Sequence, residues 1–324
     1  MALGEFDIIE RFFRGCGAPR ADVVLGIGDD AALVTVPKGC ELAVAVDTLV
    51  EGVHFPHTTA AADVAYKAVV VNLSDLAAMG AEPAWFTLAL TLPAADEQWL
   101  EAFARGLSAA ARTYGLQLVG GDTTRGPLTV TVQVAGHVPQ GQALRRSGAR
   151  AGDGVYVTGV LGDAALALEA LKGTLDLDSA ERDYLLARLN RPVARIGEGL
   201  RLRGIATAAI DISDGLAADL RHILDASGVG ALLNLTELPH SAVFESYAGM
   251  TPLARLALSG GDDYELCFTI PASEEVRISG LLADSGTIVT RIGVIEAQSG
   301  LRCRLADGSV LDVNNTGYEH FKRR

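Results

Sequence analysis

The chain has 324 residues, of which 49% are hydrophobic and 21% charged, and its 40 acidic against 27 basic residues give a formal net charge of −13. This length predicts two domains, the apolar content excludes a disordered chain, and the negative charge argues against a nucleic-acid partner, since no basic stripe exceeds Arg145, Arg146 and Arg150. Every apolar stretch is short or broken by Gly, Pro or polar residues, as across Pro83 to Ala95, so no membrane-spanning helix and no membrane partner is expected. Cys16, Cys40, Cys267 and Cys303 lie far apart without a Cys-x-x-Cys pair or a signal-like segment, and they predict reduced, buried thiols in the cytoplasm.

In chain order, an amphipathic start (Phe6, Ile8, Ile9, Phe12, Phe13) leads to Val23–Val34, where Gly26, Gly28, Asp29 and Asp30 sit between apolar runs. Leu42–Thr48 is a β-like run ending on Asp47, followed by a loop with Glu51 and His54. Asp63–Ala78 predicts a helix that buries Tyr66, Val69, Val70 and Leu73 and delivers Asp75 near its end. Trp85–Leu92 is β-like, Glu97–Tyr114 helical, and Leu116–Val119 a short strand entering a loop at Gly120-Gly121-Asp122. Leu128–Val138 alternates Thr and Val as a half-exposed strand does, closing a βαββαβ-like half. The predicted boundaries are a first domain over 1–138, a linker over 139–150 and a second domain over 151–324.

The second half opens with a strand over Gly154–Gly159 and a helix over Asp163–Lys172, with Asp163 as its N-cap. After Pro192 a helix runs through Ile196 and Leu200. Thr207–Ile212 is a strand that carries Asp211 into Ser213-Asp214-Gly215, and Leu216–Ser227 is helical. Ser259-Gly260-Gly261-Asp262-Asp263 precedes a strand over Tyr264–Ile270, and the tail carries Asn314, Asn315 and Tyr318.

Asp29 with Asp30, Asp47, Asp75, Asp122 and Asp211 with Asp214 recur in separate segments, most of them beside Gly and after an apolar strand. Each alone reads as a turn residue, and Asp75 alone as a cap for a helix begun at Leu76. Together, carboxylates without a His or Cys cluster form the hard-oxygen environment that suits Mg²⁺ completed by substrate phosphates. Divalent ions would also let an acidic pocket accept a polyphosphate. The P-loop and protein-kinase signatures are missing from the sequence. Gly120 and Gly121 offer backbone donors to a phosphate, and Arg145 or Arg146 is either a phosphate clamp or part of a solvated linker.

Gly26-Ile-Gly-Asp-Asp30, Val46-Asp-Thr-Leu49, Val71-Asn-Leu-Ser-Asp-Leu-Ala-Ala-Met-Gly80, Gly120-Gly-Asp-Thr-Thr-Arg-Gly126, Ile210-Asp-Ile-Ser-Asp-Gly-Leu216 and Ser259-Gly-Gly-Asp-Asp-Tyr-Glu-Leu266 together carry a resemblance. From end to end the chain resembles the thiamine-monophosphate kinase family. The resemblance implies the two-domain α+β fold of the aminoimidazole-ribonucleotide synthetase superfamily, with N-terminal domains pairing into a β-barrel across a homodimer. It also implies direct in-line transfer of the γ-phosphoryl group of ATP to thiamine monophosphate, giving thiamine diphosphate.

Carried over position by position, the resemblance makes Asp30, Asp47, Asp75, Asp122, Asp211 and Asp214 ligands of several Mg²⁺ ions. Val46 would add a backbone carbonyl where relatives often place a hydroxyl residue. Asp47, Asp75 and Asp122 would be the catalytic carboxylates. Gly121, Asp122, Arg146 and Ser213 would meet ATP, and His54, Asp262 and Tyr318 the thiamine substrate, where a carboxylate and a ring face suit a cationic heterocycle. Rival readings ask for residues the sequence lacks: a selenophosphate synthetase needs a reactive Cys beside Lys in a Gly-rich loop, whereas Cys16 sits in Arg-Gly-Cys-Gly-Ala-Pro, and the hydrogenase-maturation dehydratase needs a C-terminal Cys where this sequence has Phe321-Lys-Arg-Arg324. A non-enzymatic nucleotide or metal sensor would need fewer carboxylates.

Overall fold

The computed structural model describes residues 4–247, 255–278 and 286–313. It divides into two compact units, Met1–Leu76 with Ala81–Gly141, and Ala77–Gly80 with Gln142–Arg324.

In the first unit, α1 (Glu5–Ile8) runs into a π-helical turn (Ile9–Phe13), burying Ile8, Phe12 and Phe13 and exposing Phe6. A small antiparallel hairpin, β1 (Val23–Leu25) and β2 (Leu33–Val34), follows. Next come β3 (Cys40–Val50), α2 (Ala61–Ala78), β4 (Glu82–Leu92), α3 (Glu97–Thr113), β5 (Gln117–Arg125) and β6 (Thr129–Pro139). These six run βαβαββ, not βαββαβ, because only residues 126–128 separate β5 from β6, too few for a helix. The sheet order is β3-β6-β4-β5, with β4 and β5 parallel and the other pairs antiparallel.

The alternation along β6 sets the two faces of this sheet. Val130, Val132 and Val134 are fully buried, while Thr129 and Thr131 are half-buried and Gln133 is exposed. Register places Leu90, Leu88 and Phe86 of β4 opposite those valines, and they are buried too. Each such side chain contributes about 1.5–3 kcal/mol of burial. α3 starts where the Asp96 carboxylate accepts the N–H groups of Gln98 and Trp99, at 2.9 and 3.1 Å, and it buries Leu100, Phe103, Leu107 and Ala110 at helical spacing. On the opposite face, Val23, Ala32 and Val34 pack over Ala84, Trp85, Val119 and Ala135. Beyond that patch Leu42, Val44 and Val46 of β3 stay exposed.

The second unit is built on β7 (Gly154–Thr158), α4 (Asp163–Leu171), α5 (Ser179–Asn190), α6 (Ile196–Leu202), β8 (Ala208–Asp211), α7 (Leu216–Ser227), β9 (Gly230–Asn234), α8 (Ala242–Tyr247), α9 (Leu256–Ser259), β10 (Leu266–Ile270), β11 (Val289–Glu296), β12 (Gly300–Arg304) and β13 (Val310–Asp312). Its sheet has the order β13-β12-β9-β11-β7-β10-β8, antiparallel except for the β12–β9 pair. One core joins Val155, Val157, Ile210, Leu233 and Cys267 of the strands to Leu166, Leu185, Leu220 and Ile223 of the helices. A second core gathers Tyr156, Leu266, Phe268 and Ile270 with Leu144, Leu202 and Ile205. Asp163 is not the N-cap of α4: Gly162 holds that position, and the Asp163 side chain is buried, accepting hydroxyls from Tyr184 at 2.7 Å and Ser241 at 2.6 Å.

Candidate active site

Three of the acids predicted for the first unit sit on regular elements. Asp75 lies half-buried in the last turns of α2, flanked by Leu73, Ser74, Leu76 and Ala77, all at most 1% exposed. Asp47 and Asp122 are not strand-end residues. Asp47 stands inside β3 opposite Val132, and Asp122 inside β5 opposite Ala89, both exposed. The pairing Val132–Leu88–Gly121 runs through one row of the sheet and Thr131–Ala89–Asp122 through the next, so Asp47 and Asp122 belong to opposite faces. Thr48 and Thr131 meet on the Asp122 face, hydroxyl to hydroxyl at 2.9 Å.

The expected loop at Gly120–Gly126 is mostly strand, since β5 continues to Arg125 beside β4. Gly121 permits that: a Cβ there would stand 1.8 Å from the Leu88 carbonyl oxygen, and its φ is +152°. Asp30 is exposed in the β1–β2 hairpin loop and donates its N–H to Asp29 Oδ1 at 2.9 Å. His54 sits in the turn after β3, where its Nδ1 accepts the Val50 N–H at 3.0 Å while its own N–H returns to the Val50 carbonyl at 2.9 Å. Val46 is exposed within β3.

The second unit draws several predicted residues together. Asp211 ends β8 and is buried, and the chain turns at once through Ser213, Asp214 and Gly215 into α7. That turn is held by Asp219, which the sequence reading did not single out. Its Oδ2 accepts the N–H groups of Ser213 at 3.0 Å, Asp214 at 3.0 Å and Gly215 at 3.1 Å. Burial pushes the Asp219 carboxyl up to about 7, and the charge of Asp211 adds to the shift.

The Ser259–Tyr264 loop lies against the same turn. Asp262 donates its N–H to the Ser213 carbonyl at 2.9 Å, and Tyr264 to the Ile212 carbonyl at 2.8 Å. Gly261 allows the approach, because a Cβ there would be 2.3 Å from the Ser213 carbonyl oxygen. Asp262 and Tyr264 both take left-handed backbone, φ 68° and 51°, at a cost of about 1–3 kcal/mol each. Glu265 follows, buried in a fork from Arg195 (Nε to Oε2 2.5 Å, the terminal nitrogen to Oε1 2.6 Å), with Arg188 at 3.2 Å and the Thr158 hydroxyl at 2.7 Å. Arg146 is exposed, on a segment pinned where Ser227 Oγ accepts the N–H groups of Gly148 and Ala149, at 3.1 and 3.2 Å, and donates to the Arg146 carbonyl at 3.3 Å.

Comparison with known proteins places this arrangement. The model of the AIR synthase related protein N-terminal domain matches residues 28–138, and that of the C-terminal domain matches residues 150–306. The Thiamine-monophosphate kinase of Escherichia coli (strain K12) is 49% identical over 322 residues, 99% of each chain. The chain belongs to the thiamine-monophosphate kinase family. The crystal structure of the Stenotrophomonas maltophilia K279a thiamine-monophosphate kinase matches with a TM-score of 0.87 at 47% identity, over 95% of this chain and 98% of that one. A solved complex described as AaThiL with AMPPCP and TMP matches with a TM-score of 0.78 at 32% identity, over 99% of both chains.

Within this thiamine-monophosphate kinase family member, the metal ligands expected from the sequence are carboxylate oxygens and the Val46 carbonyl, the hard-oxygen donor type that suits Mg²⁺. Among the described residues no three His, Cys, Asp or Glu side chains form a metal-holding group. Tyr318, Asn314 and Asn315 lie outside the described residues.

Proposed function

We infer that this protein transfers the γ-phosphoryl group of ATP to the phosphate of thiamine monophosphate, giving thiamine diphosphate and ADP. The observation that carries the reading is chain-long similarity, 49% identity over 99% of both chains, to a thiamine-monophosphate kinase. A relative solved with AMPPCP, an ATP analogue, and TMP supports the substrate pair. In an in-line displacement a phosphate oxygen of thiamine monophosphate bonds to the γ-phosphorus as the bond to the β,γ-bridging oxygen breaks. The attacking phosphate oxygen of thiamine monophosphate is already ionised near neutral pH, so no general base is needed and positioning carries the catalysis.

The residues divide the work by charge. Asp30, Asp47, Asp75, Asp122, Asp211, Asp214 and the Val46 carbonyl would hold Mg²⁺, with Asp47, Asp75 and Asp122 as the catalytic carboxylates. Bound Mg²⁺ supplies charge neutralisation between the two phosphate-bearing substrates. Gly121, Asp122, Arg146 and Ser213 would contact ATP, and the Arg146 guanidinium suits a phosphate. Asp262, His54 and Tyr318 would contact the thiamine moiety. A direct assay for thiamine diphosphate from thiamine monophosphate, ATP and Mg²⁺ tests the reading; no product at saturating concentrations would overturn it.

A homodimer follows from the same family reading and gains support from β3, an edge strand whose Val44 and Val46 are 54% and 60% exposed in a row with Leu42. An exposed apolar edge invites pairing with another chain, here a second copy that would extend the sheet toward a β-barrel. A sedimentation mass of one chain at working concentration would sink it. The cytoplasm is the proposed compartment, supported by four free thiols.

A further inference from the structure

We propose that Tyr264 is a positioning residue for the thiamine substrate, acting through Asp262; this rests on the reading that Asp262 meets the cationic thiazolium. The Tyr264 hydroxyl donates to Asp262 Oδ1 at 2.8 Å, and the residue is 8% exposed. Its φ of 51° is a conformation that a ring-bearing residue adopts only at a cost, and Gly or Asn would occupy it with less strain. What Tyr264 supplies in return is its side chain, a buried ring that sets the hydroxyl at a fixed point and a charge-assisted hydrogen bond to the carboxylate.

The backbone beneath is tied on both sides of Asp263. Asp262 N–H bonds to Ser213 and Tyr264 N–H to Ile212, while both Asp263 oxygens accept the Gly162 N–H at 3.0 Å. With the main chain fixed, the remaining freedom of Asp262 lies in its side-chain torsions, and the phenol constrains them. Tyr264 thereby orients the negative charge a cationic ring would meet, without itself touching substrate.

The test is steady-state kinetics of the full chain with thiamine monophosphate and ATP varied separately, on Tyr264→Phe, Asp262→Ala and the double variant, each checked for an unchanged melting transition. Tyr264→Phe keeps ring and backbone and deletes one hydroxyl. Its KM for thiamine monophosphate is expected to rise about tenfold, against a change within about twofold in KM for ATP. In the Asp262→Ala background the hydroxyl deletion is expected to add nothing. A normal KM for thiamine monophosphate in Tyr264→Phe, with a raised one in Asp262→Ala, would overturn the positioning role, as would an additive effect in the double variant. A normal KM in Asp262→Ala would instead remove the substrate contact on which the inference stands.

Discussion

Asp219 Oδ2 accepts the backbone N–H of Asp214 at 3.0 Å, and the same oxygen takes the N–H groups of Ser213 and Gly215. A single buried oxygen therefore shapes the turn on which the expected ATP contact Ser213 and the expected metal ligand Asp214 are carried. Asp219→Ala removes the acceptor and leaves these donors without it, which is expected to cost about 1–3 kcal/mol in urea unfolding and to raise KM for ATP. Asp219→Asn retains an acceptor oxygen and should lose less of both. Equal stability for Asp219→Ala and the parent would show that the turn is held by other contacts.

Asp75 is surrounded by side chains so buried that its own position on α2 is rigidly set. Asp75→Asn keeps the shape and removes the charge. Turnover is expected to fall by about 10²-fold or more, as when a transition-state charge partner is lost, with the far-ultraviolet circular dichroism and melting transition preserved. Turnover near the parent's would return Asp75 to the role of a helix-end residue.

How legible the fold was depended on whether a signal was local. The Thr/Val alternation of β6 and the amphipathic run Leu216–Ser227 stand in the structure as the periodicity predicts, because one buried face imposes its own period. By contrast, α5 buries only Leu185 and Leu189, so its periodicity is faint, and the Asp178–Glu181 capping box was its one sequence signal. Gly120-Gly121 reads as a turn until β4 is known to lie beside it. For the candidate site, strand-end acids were visible at Asp211, but Asp219 sits in a helix where carboxylates are ordinarily solvated, and nothing local marks it as buried. The pairing of Glu265 with Arg195 and Arg188 spans 70 and 77 residues, a separation that no motif spacing reveals.

That pairing yields a stability prediction. The Glu265 side chain is 1% exposed and meets Arg195 through both oxygens, while Arg188 shares one of them. Arg195→Ala strips the fork and leaves a buried carboxylate with less cationic compensation. Breaking one side of a buried pair costs about 3–5 kcal/mol, so the variant should unfold at markedly lower urea. Because Glu265 stands directly after the Asp262–Tyr264 segment, KM for thiamine monophosphate should rise in Arg195→Ala as well. A midpoint within error of the parent's would mean that Arg188 and Thr158 suffice to hold Glu265.

His137 carries the pH prediction. Its ring is buried edge-on to Trp85, with centroids 5.9 Å apart, and burial lowers its pKa below the usual histidine value. The charges of Asp22 and Glu82 act in the opposite sense and that of Arg20 in the same sense, with the net shift downward. As pH falls through about 6.5 the unfolded chain binds a proton at this histidine that the folded chain resists, so the stability this group contributes is lost. Asp22 does not share that window. Burial is the largest influence and raises its pKa, but the Arg20 hydrogen bonds at 2.9 Å, the Arg20 charge, a backbone hydrogen bond and the His137 charge together bring it below the usual carboxylate value, so its stabilisation is lost only in stronger acid. Asp219, raised to about 7, acts in the opposite sense over the same window, because the folded chain takes up a proton there that the unfolded chain takes up only near the ordinary carboxylate pKa. The His137 contribution is therefore read as the difference between the parent and His137→Phe: between pH 7 and 5 the parent should lose unfolding free energy relative to the variant, with a slope bounded by one proton, about 1.4 kcal/mol per pH unit. His137→Phe keeps a ring against Trp85 and removes the titrating group; a pH dependence identical to the parent's would assign the proton to another group.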